Sequence, residues 1–255
     1  MGPVQIARAQ AMRRQAVDAP APEAKFAPAR ITSTNKPVDA LAEAHRLAQS
    51  CSGLDALYKA LESFDGCGLK ANARKTVFAD GQAETNIMVI GETPGREDDE
   101  TGKPFQGPEG DLITKMLASI GLDRHLDCYL TCLIPWRPPG NRNPTAEEVA
   151  LCRPFLVRHI ELAAPKAILM VGGLTTQTLL NTADGIMKLR TRSFDYSIGA
   201  DATGPTAYAQ CLFSPAYLVN RPRDKALAWQ DLLKFKQKIA ALGVVTRGRS
   251  GALGS

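Results

Sequence analysis

Downstream of residue 74 the chain alternates short apolar runs with amphipathic stretches. NIMVIGE (86–92), CYLTCLIPW (128–136), AILMVGG (167–173) and AYAQCLFSP (207–215) are runs of strand length, and KTVFADG (75–81) is a shorter strand signal. Between them DLITKMLASIGL (111–122), AEEVALCRPFLVRHIELA (146–163), TTQTLLN (175–181) and RDKALAWQDLLKFKQKIAALG (223–243) read as helices, with Thr145 in place to cap the second. Upstream, Leu41, Leu47, Leu54, Leu57 and Leu61 recur at helical spacings, broken at Ser52-Gly53, which predicts two short helices. This alternation predicts an α/β domain, a mostly parallel sheet with helices on both faces. Residues 1–38, rich in Ala and Pro without apolar periodicity, read as a flexible extension, 39–243 as one domain, and 244–255 as a flexible tail.

Composition narrows the class only a little. A 44% hydrophobic and 22% charged chain of 255 residues is that of a soluble globular protein. No apolar run approaches the ~20 residues that span a bilayer, and the N-terminus lacks the apolar core of a secretory signal, so no membrane partner and a cytoplasmic location are expected. The six cysteines form no CxxC pair, and sequence spacing gives no metal site. The net charge of +5 permits contact with a polyanion.

Ligands of parallel sheets gather beyond the carboxyl ends of the strands, so chemistry is sought in the loops there. GETPGREDDE (91–100) has neither GxxxxGK[ST] nor GxGxxG, and its acids repel phosphate; carboxylates suit water activation beside a developing cation, or a divalent metal. For most of these acids the plainer reading is a solvated loop capping the next helix. PWRPPGNRNP (135–144) and SPAYLVNRPR (214–223) are proline-stiffened and basic, which suits gripping a polyanion. The long segment 181–206 reads as irregular, with Lys188, Arg190 and Arg192 as further cations.

GETPGREDDETGKPFQGPEG, YLTCLIPWRPPGNRNPTAEEVALCRPFL, APKAILMVGG and FSPAYLVNRPRDKALAWQDL, in that order, resemble the uracil-DNA glycosylase superfamily, nearest to its family 4, over roughly residues 54 to 240. The resemblance implies a three-layer α/β/α sandwich with a central, mostly parallel four-stranded sheet. It also implies base-excision repair chemistry: a uracil swung out of DNA and hydrolysis of its N-glycosidic bond. Such a reaction wants a stacking ring, basic grips on phosphate, and a carboxylate near the sugar.

Carried over by position, the resemblance places Gly91, Thr93 and Gly95 at the uracil and makes Glu92, with Glu97 or Asp98, the candidate for orienting water. Phe105 falls on the stacking ring, although a core Phe is its plainer reading. Cys132 stands where the family has an Asn that reads the uracil edge, and Ser214 where it has a His. The three histidines, His45, His125 and His159, lie far from that block in sequence. Arg137, Asn141, Arg142, Arg190, Arg192, Tyr217, Leu218 and Arg221 are the DNA-binding candidates, with Val219 in the same wedge segment as Tyr217 and Leu218.

Family 4 holds an iron–sulfur cluster on four cysteines. Here the matching positions read Phe64, Cys67, Trp136 and Cys152, which gives the expectation of no cluster, no metal and no other cofactor. The expected partner is uracil-containing DNA, single- or double-stranded, bound by a monomer. The alternative is a catalytically weak protein of glycosylase descent that holds abasic or single-stranded DNA, and a weaker third reading is metal-dependent phosphoester hydrolysis.

Overall fold

The computed structural model describes residues 37–199 and 204–247. Helices α1 (Pro37–Ser50) and α2 (Leu54–Ser63) come first, followed by strands β1 (Asp80–Gly81) and β2 (Ile87–Gly91) and helices α3 (Arg96–Thr101) and α4 (Gly107–Ser119). Strand β3 (Tyr129–Cys132) leads through the proline loop to α5 (Ala146–Ala163), β4 (Ala167–Val171) and α6 (Gly173–Leu180). Short α7 (Ile186–Leu189), β5 (Ser193–Ser197), β6 (Thr206–Leu212), α8 (Pro215–Asn220) and α9 (Lys225–Ala241) complete the described chain.

The sheet order is β1-β3-β2-β4-β6-β5. Its four inner strands, β3, β2, β4 and β6, are parallel, as the apolar runs predict, and β1 and β5 pair antiparallel at the two edges. Every residue of β2 and β4 is buried because both faces of the sheet are covered. The alternation of side chains sorts them: Met88, Ile90, Ile168 and Met170 join a core with Leu57, Leu61 and Phe155 of α2 and α5, whereas Ile87, Val89, Leu169 and Val171 join Ile113, Leu117, Leu232 and Phe235 of α4 and α9. Three layers result.

Two expectations about the edges change. Of KTVFADG only Asp80 and Gly81 enter the sheet, because upstream the Val77 amide donates to Pro135 O (2.8 Å) and the Phe78 carbonyl accepts from Thr131 Oγ1 (2.6 Å). The segment 181–206 contains α7 and β5, and β5 pairs with β6 over Ser193–Gln210 to Ser197–Thr206. Thr145 caps α5: its Oγ1 accepts from the Glu148 amide (3.2 Å) while Glu148 Oε2 accepts from the Thr145 amide (2.8 Å).

The expected extension lies outside the described residues up to residue 36. At the other end, residues 244–247 of the expected tail are held in place. Val244 packs on the core beneath α9, and the Arg247 amide donates to Asp127. Among the described residues no helix is long and apolar enough to cross a membrane.

Arg190, expected at DNA, points inward. Its Nε and Nη2 donate to the two carboxylate oxygens of Asp231 on α9 (2.7 and 3.0 Å), Nη2 also reaches Leu227 O (2.9 Å), and its guanidinium lies over the Phe213 ring. Burial lifts the Asp231 carboxyl above the ordinary range against the opposing pull of Arg190. A cation 8% exposed and engaged at both ends is no phosphate grip. Replacing Arg190 with Met leaves a buried carboxylate unpaired, so Arg190→Met is expected to lose about 3–5 kcal/mol of stability by chemical denaturation, with DNA affinity unchanged.

Candidate active site

Because the inner strands run parallel, Gly91, Cys132, Val171 and Leu212 end on one edge of the sheet. A cavity of about 500 Å³ opens there, lined by the GETPG turn, Glu97, Asp98, Phe105, Cys132, Val171, Arg137, Asn141 and Ser214. Residues from four separated stretches of sequence thus meet at one place.

Phe105 forms one wall. Its backbone is left-handed (φ 56°), and its ring packs so closely on Gly91 that a Cβ there would lie 2.7 Å from a ring carbon. Any side chain at 91 would displace the ring, which accounts for glycine at the end of this strand.

The four consecutive acids separate into distinct jobs. Asp98 is 6% exposed and takes the amides of Gly95 (2.9 Å), Gln106 (2.6 Å) and Phe105, so it ties the GETPG turn to the Phe105 loop. Burial outweighs these bonds and raises its carboxyl above the ordinary range. Asp99 takes the Arg74 amide (2.8 Å), and Glu100 forms surface ion pairs with Arg96 and Arg74. Glu97 is exposed and lines the cavity. Asp98, expected near reacting water, has its acceptors occupied by backbone amides and is better described as the clamp of the site.

Glu92 lines the cavity and is half-buried. Its Oε1 accepts from the Leu174 amide at the start of α6 (2.7 Å), and burial raises its carboxyl above the ordinary glutamate range, with Glu109 adding to the shift. Cys132 is buried beside it, and burial pushes its thiol well above the usual range, so it is a neutral group. Ser214 lines the cavity while its Oγ accepts from the Tyr217 amide (3.3 Å), capping α8. Glu109, in the first turn of α4, also lines the cavity; the sequence signal for it was PFQGPEG, which brings a helix start back beside Phe105.

The basic loops are placed less uniformly. Arg137 and Asn141 line the cavity, with Arg137 Nε donating to Asn141 Oδ1 (2.8 Å) across a turn in which Gly140 and Asn141 have positive φ. Arg142 is outside it, paired twice with Glu148 (2.6 and 2.8 Å), and Arg192 lies over Phe194. Tyr217 stacks on Phe213 (4.8 Å), its hydroxyl donates to Asp224 (2.7 Å), and Arg221 lies over its ring. Leu218, expected to wedge into DNA, is wholly buried in the core. The helical turn of α8 instead turns Val219 outward, 54% exposed at the cavity rim.

Phe64, Cys67, Trp136 and Cys152 are all buried in one core. The Cys152 thiol hydrogen-bonds Cys67, which holds the Cys67 thiol below the ordinary range; the Phe64 ring packs against Phe155 (5.2 Å), and Trp136 Nε1 donates to Thr76 Oγ1 (3.0 Å). Among the described residues no three His, Cys, Asp or Glu side chains converge on a metal position. The Phe64, Cys67, Trp136 and Cys152 positions supply two of the thiolates that a four-thiolate cluster takes.

Residues 78–233 match the model of the uracil DNA glycosylase superfamily. The chain is 35% identical over 182 residues to a type-4 uracil-DNA glycosylase of Archaeoglobus fulgidus, covering 71% of this chain and 91% of that protein. It is 34% identical to a type-4 uracil-DNA glycosylase of Thermotoga maritima, covering 69% and 90%. It is 29% identical to a type-5 uracil-DNA glycosylase of Pyrobaculum aerophilum, covering 53% and 64%. The type-4 relatives correct the expectation of no cofactor. They stand in the group for which the resemblance implies an iron–sulfur cluster, which overturns an absence inferred from Phe64 and Trp136 alone.

The clamp makes a measurable distinction among the acids. Asp98→Ala leaves buried amides without an acceptor and is expected to cost about 1–3 kcal/mol in denaturant unfolding. Glu97→Ala, at an exposed position, is expected to stay within about 0.5 kcal/mol of the parent.

Proposed function

This chain belongs to the uracil DNA glycosylase superfamily, and from that premise we propose that it is a uracil-DNA glycosylase that takes a flipped-out uracil into the cavity at the sheet edge and hydrolyses its N-glycosidic bond. The observation that carries this is the meeting of Phe105, Glu92 and the Gly91 turn in one cavity with Arg137 and Asn141 at its rim. Its volume falls within the ordinary range of small-molecule sites. Acting as a monomer on single- or double-stranded DNA in the cytoplasm is the reading that accompanies it.

In this reading the Phe105 ring stacks on the uracil, and Gly91 is bare so that the ring can lie flat at the strand end. Thr93 and Gly95 flank the base, and the Cys132 thiol, neutral through burial, faces its edge without adding charge. Glu92, ionised, orients water toward C1′ as the bond to nitrogen lengthens, and its charge favours the oxocarbenium-like sugar. The exposed Glu97 adds to the negative potential at the same mouth. Arg137 and Asn141 hold phosphate beside the flipped nucleotide, and Val219 fills the gap left in the stack. Arg142, Arg192, Tyr217 and Arg221 are left to outer backbone contacts.

A second reading, DNA binding with little turnover, is favoured by one observation: across the cavity from Glu92 stands Ser214, whose oxygen accepts from the Tyr217 amide and which has only a neutral O–H left to donate to a leaving base. Incubation of the protein with uracil-containing single- and double-stranded DNA, followed by alkali, separates the two. Strand scission supports glycosylase action. Tight, salt-dependent binding to abasic DNA without uracil release supports the second reading and overturns the first.

The pH dependence follows from Glu92. Its carboxyl is raised, so its charge is absent at acid pH and the single-turnover rate is expected to climb through a range above the ordinary glutamate pKa before levelling. Glu92→Gln is expected to lower the plateau rate by about a hundredfold or more and to abolish that rise.

A further inference from the structure

Between the Phe105 wall and the far edge of the sheet lies a buried cation that none of the chemistry above uses. Arg124, 6% exposed, follows α4 in the loop before β3. Its Nη1 donates to Phe105 O (2.6 Å) and to Thr114 Oγ1 (3.2 Å), its Nη2 donates to Pro104 O (2.7 Å) and pairs with Asp80 Oδ2 (3.1 Å), and its Nε has no partner. Two arms of one guanidinium therefore hold two consecutive carbonyls.

Those carbonyls belong to the strained point of the site. Phe105 is a non-glycine residue at positive φ, a conformation that persists only where its surroundings over-determine it. Asp98 grips the amides on one side of this peptide pair, and Arg124 grips the carbonyls on the other. Beneath, Gly110 of α4 passes so near the Phe105 carbonyl that a side chain there would collide with it. Asp80 in turn, 9% exposed and approached by Lys103 (3.5 Å) and His125 (3.9 Å), fixes the guanidinium in place.

We propose that Arg124, braced by Asp80, is a positioning residue that sets the angle of the Phe105 ring through the Pro104 and Phe105 carbonyls. The proposal rests on the reading of Phe105 as the ring that stacks on uracil. It requires the planar fork of arginine: a lysine supplies one point charge and cannot hold two carbonyls in a fixed relation.

The test is a cycle on the full chain, measuring single-turnover uracil release, inhibition by free uracil, affinity for abasic DNA, and melting temperature. Arg124→Ala and Arg124→Lys are both expected to slow release about 10- to 100-fold, the scale at which a small misplacement of a reacting group acts. Both are also expected to weaken inhibition by free uracil and leave abasic-DNA affinity unchanged. In a Phe105→Ala background the same substitutions are expected to change the rate less than about twofold, because the group they position is gone. Asp80→Asn, which keeps Arg124 but loosens its brace, gives a smaller loss in the same direction and serves if the alanine variant does not fold.

Equal slowing with and without Phe105, a rate for Arg124→Lys equal to the parent, or slowing that follows melting temperature alone would each overturn the proposal. If the parent releases no uracil, or Phe105→Ala releases it at the parent rate, the stacking reading itself fails and the proposal fails with it. If Phe105→Ala is slow and Arg124→Ala is not, only the proposal fails.

Discussion

Four parallel strands buried on both faces leave the chain one direction in which to present polar chemistry. Side chains of β2 and β4 are consumed alternately by the two helical layers, so none is free to act at the sheet face. What remains is the carboxyl-terminal edge, where each strand hands the chain to a loop. Gly91, Cys132, Val171 and the Phe213-Ser214 turn end side by side there because their strands pair in register. The cavity follows from that convergence.

Within the edge, precision comes from buried hydrogen bonds to backbone. Asp98 satisfies amides of two loops that are neighbours only in the folded chain, and Arg124 satisfies carbonyls of the same peptide pair from the opposite side. Such bonds are costly to leave half-made in a buried place, so the two loops are held as one unit. The Phe105 ring then has little freedom, and an aromatic wall ordered in advance loses less entropy when a flat ligand meets it. Charge plays two parts here: Glu92, Glu97 and Glu109 line the cavity, whereas Asp98, which lines it too, joins Asp99 and Arg124 in binding backbone groups.

The order of strands and helices was legible because buried parallel strands must be apolar throughout and their crossover helices periodic; Thr145 was legible because a cap needs an acceptor just before a helix. The central pocket residues Gly91, Glu92, Phe105 and Cys132 were legible through the ordered motifs. The cations were not. Arg190, Arg142 and Arg137 look alike in a linear chain, but one meets Asp231 in the core, one meets Glu148 at the surface, and one lines the cavity. Nor did spacing show β5, because five residues with mixed polarity become a strand only when β6 offers an edge.

By itself, then, the sequence determined the α/β class, the loops that line the cavity and the family, because local apolar periodicity and short ordered motifs are properties of neighbours along the chain. Tertiary structure alone decided which of the four acids ties loops together, and which of Leu218 and Val219 faces outward. It also decided whether a given arginine lines the cavity or is bound inside the core. These are questions of burial and of partners distant in sequence: Asp98 with Gln106, Arg190 with Asp231, Arg124 with Asp80. A charge becomes structural when its partner arrives from elsewhere and the water is excluded, and no linear pattern records that event.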